Sequence, residues 1–270
     1  MNGDRRPAGS LKKAAAPASE HEPGIHSRLW TIVKVKRPAI VAKNRHHTLP
    51  KTATVGGMPS LWDISPPVHA ATPVFPGDTA YAQHWSAEIG PGCPVNVSSI
   101  TMSPHIGAHA DAPLHYDAQG APIGEVDLSP YLGLCRVIHA IGVHPLILWK
   151  HLSHAVQDLP PRVLVRTYAR MPVNEWDPDL AAFAPETVER LADAGVRLIG
   201  LDTASIDPAS SKSLDSHQVI RRRDMRVLEN LVLDDVPEGD YELIALPLKL
   251  MSADASPVRA VLRAPVRHYP

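Results

Sequence analysis

Cysteine is scarce in this sequence, which has only Cys93 and Cys135 among 270 residues. Two isolated thiols cannot form a disulfide framework or a thiolate metal site, so any bound metal needs nitrogen and oxygen ligands. Cys135 lies in an apolar run, which predicts a buried thiol rather than a nucleophile. The low cysteine content fits a reducing compartment, and we expect a cytoplasmic protein.

Long apolar runs are also missing. No stretch approaches the ~20 consecutive apolar residues that cross a bilayer, and the N-terminus lacks the apolar segment of a secretory signal. Charge is unevenly distributed, because residues 1–60 carry 11 Lys and Arg against 3 Asp and Glu, whereas residues 61–270 carry 16 against 25. A basic arm on an acidic body does not suggest a nucleic-acid enzyme. We expect neither a membrane nor a nucleic-acid partner.

The composition divides the chain into two parts. Residues 1–57 are rich in Pro, Ala, Lys and Arg with few periodic apolar positions, which predicts a disordered basic extension. This extension would be a tail, a targeting peptide or translated sequence upstream of a start at Met58. Residues 58–270 contain no internal repeat and no second change of composition. They are predicted to form one α/β domain of mixed sheets with few helices.

Short apolar runs separated by Pro and Gly turns predict that strands outnumber helices. Pro185 begins a helical pattern that ends at Gly195 and leads into the next strand. The strand candidates are residues 95–99, 135–141, 163–168, 196–201, 227–233, 241–248 and 258–262.

The residues that carry the chemistry lie in segment 103–116, where three histidines and an aspartate fall within eleven residues: His105, His109, Asp111 and His115. Imidazole nitrogen and carboxylate oxygen suit zinc or another divalent first-row metal. A local turn would align His105 with His109, and strand alternation would place His109 and Asp111 on a common side. The spacing alone leaves open which histidine binds the metal and which moves protons.

Other hydrolytic chemistries lack their motifs. The sequence has no Gly-x-Ser-x-Gly elbow, no His-Glu-x-x-His helix and no Gly-rich phosphate loop. These absences exclude the usual serine hydrolases and nucleotide enzymes. A metal-dependent hydrolase is the favoured interpretation, and a non-catalytic protein with a closed, structural metal site is the alternative.

The pattern His-x-Gly-x-His-x-Asp-x-Pro-x-His over residues 105–115 resembles the signature of the metal-dependent cyclase family that includes bacterial kynurenine formamidases. Segments 61–67, 73–78, 117–124 and 256–261 also resemble the formamidase branch, so the resemblance covers residues 58–270. It implies a zinc-dependent homodimer with the swivelling β/β/α fold. The implied reaction is hydrolysis of N-formyl-L-kynurenine to L-kynurenine and formate in tryptophan degradation by the kynurenine pathway.

The resemblance also implies roles for individual residues. One or two zinc ions, with two favoured, would be held by His105, His109, Asp111, His217 and Glu229. His115 would be the proton donor and acceptor. Phe75 would contact the aromatic ring of the substrate, at a position where the family often has Trp. The nearest rival reaction is hydrolysis of another arylformamide or of a cyclic amide such as isatin.

His217 and Glu229 permit a geometric check. On one continuous helix they would lie about 18 Å apart, too far for a shared metal. The chain must therefore bend between them, and a helix, a turn and a strand are expected. On the same face as Val227 and Leu231, Glu229 would be a partly buried carboxylate that needs a cation or a hydrogen-bond donor.

Overall fold

The computed structural model of this protein describes residues 54–55, 58–59 and 61–265, all of which belong to one unit, residues 50–270. Residues 1–53, most of the predicted extension, lie outside the described residues, so the division at residue 57 stays a prediction. The strands are β1 (Thr54–Val55), β2 (Met58–Pro59), β3 (Leu61–Asp63), β4 (Ala82–Ala87), β5 (Val97–Thr101), β6 (His109–Asp111), β7 (Leu132–His139), β8 (Leu146–Ile147), β9 (Arg162–Arg166), β10 (Ala182–Phe183), β11 (Leu198–Leu201), β12 (Arg226–Glu229), β13 (Gly239–Ile244), β14 (Ala255–Pro257) and β15 (Val261–Arg263). The helices are α1 (Pro113–Tyr116), α2 (Trp149–Leu152), α3 (Pro185–Asp193) and α4 (Asp215–Arg222), and short 3₁₀ turns lie at Ile123–Glu125 and Ser129–Tyr131.

Nine strands form one mixed sheet in the order β14-β6-β12-β11-β9-β7-β13-β15-β3. The four inner strands β12, β11, β9 and β7 are parallel, and the remaining pairings are antiparallel. Parallel neighbours need a crossover connection, and α2, α3 and α4 lie in the three crossovers that join these inner strands. The prediction of an α/β fold with mixed sheets and few helices is confirmed.

Both faces of the inner sheet are buried. Val163 and Val165 of β9 pack with side chains of α3 and α4, whereas Leu164 between them packs into a second apolar cluster on the opposite face. This is why the inner strands are continuous apolar runs rather than alternating ones. Cys135 is fully buried in the second cluster, as its apolar surroundings predicted.

Several strand predictions are wrong in extent, and the run 241–248, for example, is in a strand only as far as Ile244. Two other predicted strands are interrupted. The pattern of residues 227–233 predicted one strand, but β12 ends at Glu229 because Asn230 has a φ of 57°. The run 258–262 predicted one strand, but only Val261 and Leu262 of it are in a strand, because residues 258–260 connect β14 to β15 and these two strands pair with different neighbours. Between them, the Val258 N–H donates to the Ala108 carbonyl. Both breaks depend on partners that are distant in sequence.

Strands β4 and β5 form a separate antiparallel hairpin with most of its side chains exposed on both faces. The register shifts between Trp85 and Ala87, which marks a bulge in β4. None of the helices in the described part of the chain has the length and apolar character that a membrane span requires.

Candidate metal centre

Strand β6 carries two of the predicted ligands near one edge of the sheet. It pairs antiparallel with β12, which places Glu229 directly opposite His109. Nε2 of His109 lies 3.4 Å from Oδ1 of Asp111 and 3.2 Å from Oε2 of Glu229. Because alternate strand residues share a face, His109 and Asp111 point to the same side. All three residues are buried, so two carboxylates and an imidazole meet away from solvent.

His105 reaches the same point from the turn that precedes β6. Its Nδ1 lies 3.0 Å from Oδ1 of Asp111, and its ring centroid lies 5.0 Å from that of His109. The turn depends on Gly107, which has a φ of +62°, and a Cβ there would lie 2.8 Å from Cγ2 of Val68. The Gly107 carbonyl accepts a hydrogen bond from Nδ1 of His109 at 2.9 Å, which leaves Nε2 to face the cluster.

Helix α4 contributes His217, whose Nε2 lies 3.3 Å from Oδ2 of Asp111 and 3.7 Å from Oε1 of Glu229. Asp207 fixes the start of this helix, because its carboxylate accepts hydrogen bonds from the backbone N–H groups of Ser216 and His217. The same carboxylate accepts a hydrogen bond from Nδ1 of His217 at 2.7 Å. A turn follows α4 and leads into β12, so the predicted bend between His217 and Glu229 is confirmed.

The charges of the cluster favour a cation at its centre. Burial alone would lower the pKa of His217, but the carboxylates of Asp111, Asp207 and Glu229 raise it to about 10. Burial would raise the pKa of Asp111, yet the adjacent imidazoles of His105 and His217 hold it well below its usual range. For His105, Asp111 and Asp254 outweigh burial and raise the pKa to about 9.

Two buried atoms show how a metal would fit. Nε2 of His109 and Oδ1 of Asp111 make no hydrogen bond of good geometry with any described residue. Buried polar atoms without such a partner are costly, and a divalent cation bound to both would remove that cost. Oε1 of Glu229 accepts a hydrogen bond from the Ile206 N–H at 2.8 Å, while Oε2 faces His109. This donor set of imidazoles and carboxylates suits a divalent first-row metal.

His115 lies on α1 beside the cluster and is more open to solvent than the predicted ligands. Its ring centroid is 4.4 Å from that of His105 and 5.8 Å from that of His217. Its Nδ1 lies 3.5 Å from Oδ2 of Asp254, and the same oxygen lies 3.1 Å from Nε2 of His105. Asp254 therefore contacts both a predicted ligand and the predicted proton donor.

The ligand-type atoms form two groups that share Asp111. One group contains His109, Asp111 and Glu229, and the other contains His105, Asp111 and His115, with the ligand atoms of each group within 4.8 Å of one another. A carboxylate common to both groups is suited to bridging two ions. By distance alone His115 is also a possible ligand, so its assignment as proton donor stays a prediction.

A cavity of about 460 Å³ opens over these residues. Its size is within the range of small-molecule sites. Phe75 lines the cavity and packs edge-to-face against Trp176, with ring centroids 5.1 Å apart. The structure therefore places Phe75 at the cavity wall, and its contact with a substrate ring stays a prediction.

Sequence reasoning missed three residues of this site: Asp207, Asp254 and Trp176. Asp254 lies two residues before the segment 256–261 that carried part of the resemblance, but 139 residues separate it from His115. Asp207 is ten residues before His217 without any motif spacing that connects them. Their places in the site depend on contacts between segments that are distant in the sequence, and no local sequence pattern predicts such contacts.

The sequence matches known proteins over the part that forms this site. The Cyclase family model, described as "Putative cyclase", matches residues 62–208. A kynurenine formamidase from Delftia acidovorans is 78% identical over 204 residues, which cover 76% of this chain and 97% of the relative. The chain belongs to the kynurenine formamidase branch of the Cyclase family. A second kynurenine formamidase, from Paracidovorax citrulli, is 72% identical over 209 residues, with 76% and 97% coverage.

Solved structures share the fold of this branch. A protein described as a predicted metal-dependent hydrolase from Bacillus stearothermophilus has a TM-score of 0.65 and 27% identity, covering 75% of this chain and 97% of that chain. An isatin hydrolase bound to the product analogue thioisatinate has a TM-score of 0.66 and 20% identity, covering 76% of this chain and 92% of that chain. At 20% identity the isatin hydrolase supports the fold alone.

Proposed function

We propose that this protein hydrolyses N-formyl-L-kynurenine to L-kynurenine and formate in tryptophan degradation by the kynurenine pathway. The observation that carries the proposal is the 78% identity to a kynurenine formamidase across 97% of that relative. The cluster of buried imidazoles and carboxylates beneath a cavity with aromatic side chains supports it. These features fit hydrolysis of an aromatic amide by metal-activated water.

The proposed metal is zinc, with one or two ions per chain and two favoured. The proposed ligands are His105, His109, Asp111, His217 and Glu229. A bound zinc ion would lower the pKa of water towards ~7 and polarise the formyl carbonyl. Asp111 would be central to this ligand set, because its Oδ1 faces His105 and His109 and its Oδ2 faces His217.

His115 would move the proton that the reaction needs. Cleavage of the formamide releases an aniline nitrogen, which leaves easily only when it is protonated as the C–N bond breaks. His115 lines the cavity beside the ligand cluster, and its side chain is 31% exposed, so it can exchange protons with water between turnovers. Phe75 and Trp176 would contact the aromatic ring and orient the formyl group towards the ligand cluster.

We also propose that the enzyme is a cytoplasmic homodimer that assembles through the β4–β5 hairpin. The hairpin exposes Trp85, Val97 and Ile100 by 46%, 48% and 54%. A two-stranded hairpin is marginally stable alone, and a cluster of exposed apolar side chains is typical of an interface. The free thiols of Cys93 and Cys135 support a reducing compartment.

The test is the initial rate of N-formyl-L-kynurenine hydrolysis by the full chain, before and after chelation and after zinc is restored. We expect a high rate that chelation abolishes and zinc restores. The panel includes isatin and N-formylaniline, and activity on isatin without activity on N-formyl-L-kynurenine would overturn the proposed substrate.

The role of His115 is tested in the same assay with His115→Ala. We expect kcat to fall by about 10²–10⁴ while the zinc content stays at the wild-type value. Loss of zinc from this variant would instead indicate that His115 is a ligand. Full activity with full zinc content would show that it has neither role.

A further inference from the structure

The side chains around the cavity differ in their exposure to solvent, from the buried predicted ligands to exposed residues of the lining. The ligand side chains of His109 and Asp111 are buried, and the Phe75–Trp176 pair is partly exposed. Two carboxylates and one lysine of the lining, Asp78, Glu175 and Lys212, are exposed to solvent. The buried end of the cavity thus holds predicted ligands, and the solvent end holds one lysine and two acidic side chains.

Lys212 is the single lysine or arginine among the described residues that line this cavity, and it shares the lining with six carboxylates. Four of these carboxylates have partners among the described residues. Three accept a hydrogen bond from a hydroxyl group, and one contacts a histidine of the predicted ligand set. The Ser103 hydroxyl donates to Asp78, the Tyr168 hydroxyl to Asp177 and the Thr167 hydroxyl to Asp202, while Asp254 contacts His105. The fifth is the predicted ligand Glu229.

The sixth carboxylate, Glu175, differs from the others. Neither it nor the Lys212 ammonium makes a side-chain hydrogen bond or ion pair with any other described residue, and the two do not pair with each other. Glu175 adjoins Trp176 in sequence, and Lys212 lies five residues before His217. The unpaired acidic side chain is therefore next to Trp176 of the cavity lining, and the unpaired basic side chain is in the segment that leads to the predicted ligand His217.

We infer that Lys212 binds the α-carboxylate of the substrate and that Glu175 binds its α-ammonium group. This inference rests on the proposed function. N-formyl-L-kynurenine carries its formamide and its zwitterionic amino-acid side chain on adjacent carbons of one aromatic ring, and a ketone and a methylene group separate the charged groups from that ring. With the formyl group at the ligands and the ring beside Phe75 and Trp176, the length of this side chain lets its ammonium and carboxylate groups reach exposed residues of the lining.

The arrangement fits the physical chemistry of a zwitterion. A carboxylate and an ammonium group keep part of their hydration at the solvent end, so their binding there avoids the large desolvation cost of the buried end. Charge-assisted hydrogen bonds are stronger than neutral ones and depend on direction, which provides specificity. Lys212 and Glu175 would make the site selective for amino-acid arylformamides over simple ones.

The experiment compares two substrates with two variants of the full-length, zinc-loaded enzyme. N-formyl-L-kynurenine carries the amino-acid side chain, and N-formylaniline lacks it. We expect Lys212→Met to raise KM for N-formyl-L-kynurenine about 10-fold, the effect of one charged hydrogen bond in a partly exposed site, with little change in kcat. Glu175→Gln is expected to act in the same direction. Neither variant should alter kcat/KM for N-formylaniline.

Lys150→Met is the matched control, because Lys150 is an exposed lysine on α2 that does not line this cavity. Product inhibition provides a second measurement, and Lys212→Met should weaken inhibition by L-kynurenine but not by 2-aminoacetophenone. An unchanged KM, or equal losses on both substrates, would overturn the inference. A wild-type enzyme that cleaves N-formylaniline but not N-formyl-L-kynurenine would overturn the proposed function, and this inference with it.

Discussion

At the scale of single residues, three histidines of the centre have one ring nitrogen held by an acceptor. Nδ1 of His109 is bound to the Gly107 carbonyl, Nδ1 of His217 to Asp207, and Nε2 of His105 lies near Asp254. A nitrogen held in this way carries the proton in the neutral ring, and the opposite nitrogen is then free to bind metal. In the proposed site, these acceptors would leave Nε2 of His109, Nε2 of His217 and Nδ1 of His105 to bind the metal.

Asp254 gives the sharpest prediction at this scale. Asp254→Asn removes the negative charge next to His105 and His115 while keeping the size of the side chain. Because outer carboxylates of this kind orient metal-binding imidazoles, we expect activity to fall by about 10–100-fold. The measurements are kcat with N-formyl-L-kynurenine and the zinc content after dialysis.

Asp235→Asn serves as the control, since Asp235 is an exposed aspartate outside the cavity. Asp254 has a side chain that is 44% exposed, so the substitution should leave the melting temperature close to that of the wild type. Unchanged kcat and zinc content in Asp254→Asn would show that the contacts of Asp254 with the two histidines have no function.

At the scale of elements, the sequence predicted the local geometry of the centre well. The turn before β6 and the alternation within it depend on nearby residues, and the structure contains both. The bend between α4 and β12, which is also present, was expected because His217 and Glu229 would lie too far apart on one helix. The inner strands were also predictable, because burial on both faces leaves a continuous apolar run. Helix α3 was predictable from its proline start and glycine end.

Features that depend on distant partners were not predictable. The strand predicted over residues 227–233 stops at Glu229, because Asn230 turns away and donates its N–H to the Thr203 carbonyl. Of the predicted strand 258–262, only Val261 and Leu262 are in a strand, because residues 258–260 connect β14, which pairs with β6, to β15, which pairs with β13. Neither pairing has a signal in the local alternation of side chains.

The turn after α1 gives a prediction at this scale. Gly120 packs against α1 so closely that a Cβ would lie 2.3 Å from the Pro113 carbonyl carbon and 2.6 Å from the Leu114 nitrogen. Backbone atoms cannot move aside cheaply, so we expect Gly120→Ala to lower the free energy of unfolding by about 1–3 kcal/mol. Each kcal/mol corresponds to about 2–4 °C in Tm for a domain of this size.

Because α1 carries His115, kcat of Gly120→Ala should also fall. Thermal unfolding and steady-state rates measure the two effects. Gly90→Ala is the matched control, since its Cβ would approach only the Glu88 carbonyl, at 4.0 Å. Equal melting temperatures for both variants would contradict the close packing of this turn against α1.

At the scale of the whole molecule, the centre is assembled from segments that extend from His105 to Asp254. Two antiparallel strands bring His109 and Glu229 together, a crossover helix supplies His217, and the chain before β14 supplies Asp254. The metal would therefore link the sheet edge to α4. The hairpin β4–β5 lies outside this arrangement and has no described neighbour strand beyond its own partner.

The hairpin supports the last prediction. Trp85 and Ile100 occupy the same face, because Trp85 pairs with Ser98 and Ile100 pairs with Gln83. If this face packs against a second copy, Trp85→Glu and Ile100→Glu would each bury a charge without a partner. Such burial costs several kcal/mol, so the dimer dissociation constant should rise by about 100-fold or more.

Sedimentation velocity over a concentration series measures this effect, with the mass moving towards the 29.3 kDa of one chain. Leu128→Glu is the control, because Leu128 is 49% exposed and lies outside the hairpin. A charge on this face disturbs the dimer only if the face is buried in it. Variants that remain dimeric at wild-type strength would place the interface elsewhere, whereas a monomeric wild-type protein would reject the homodimer itself.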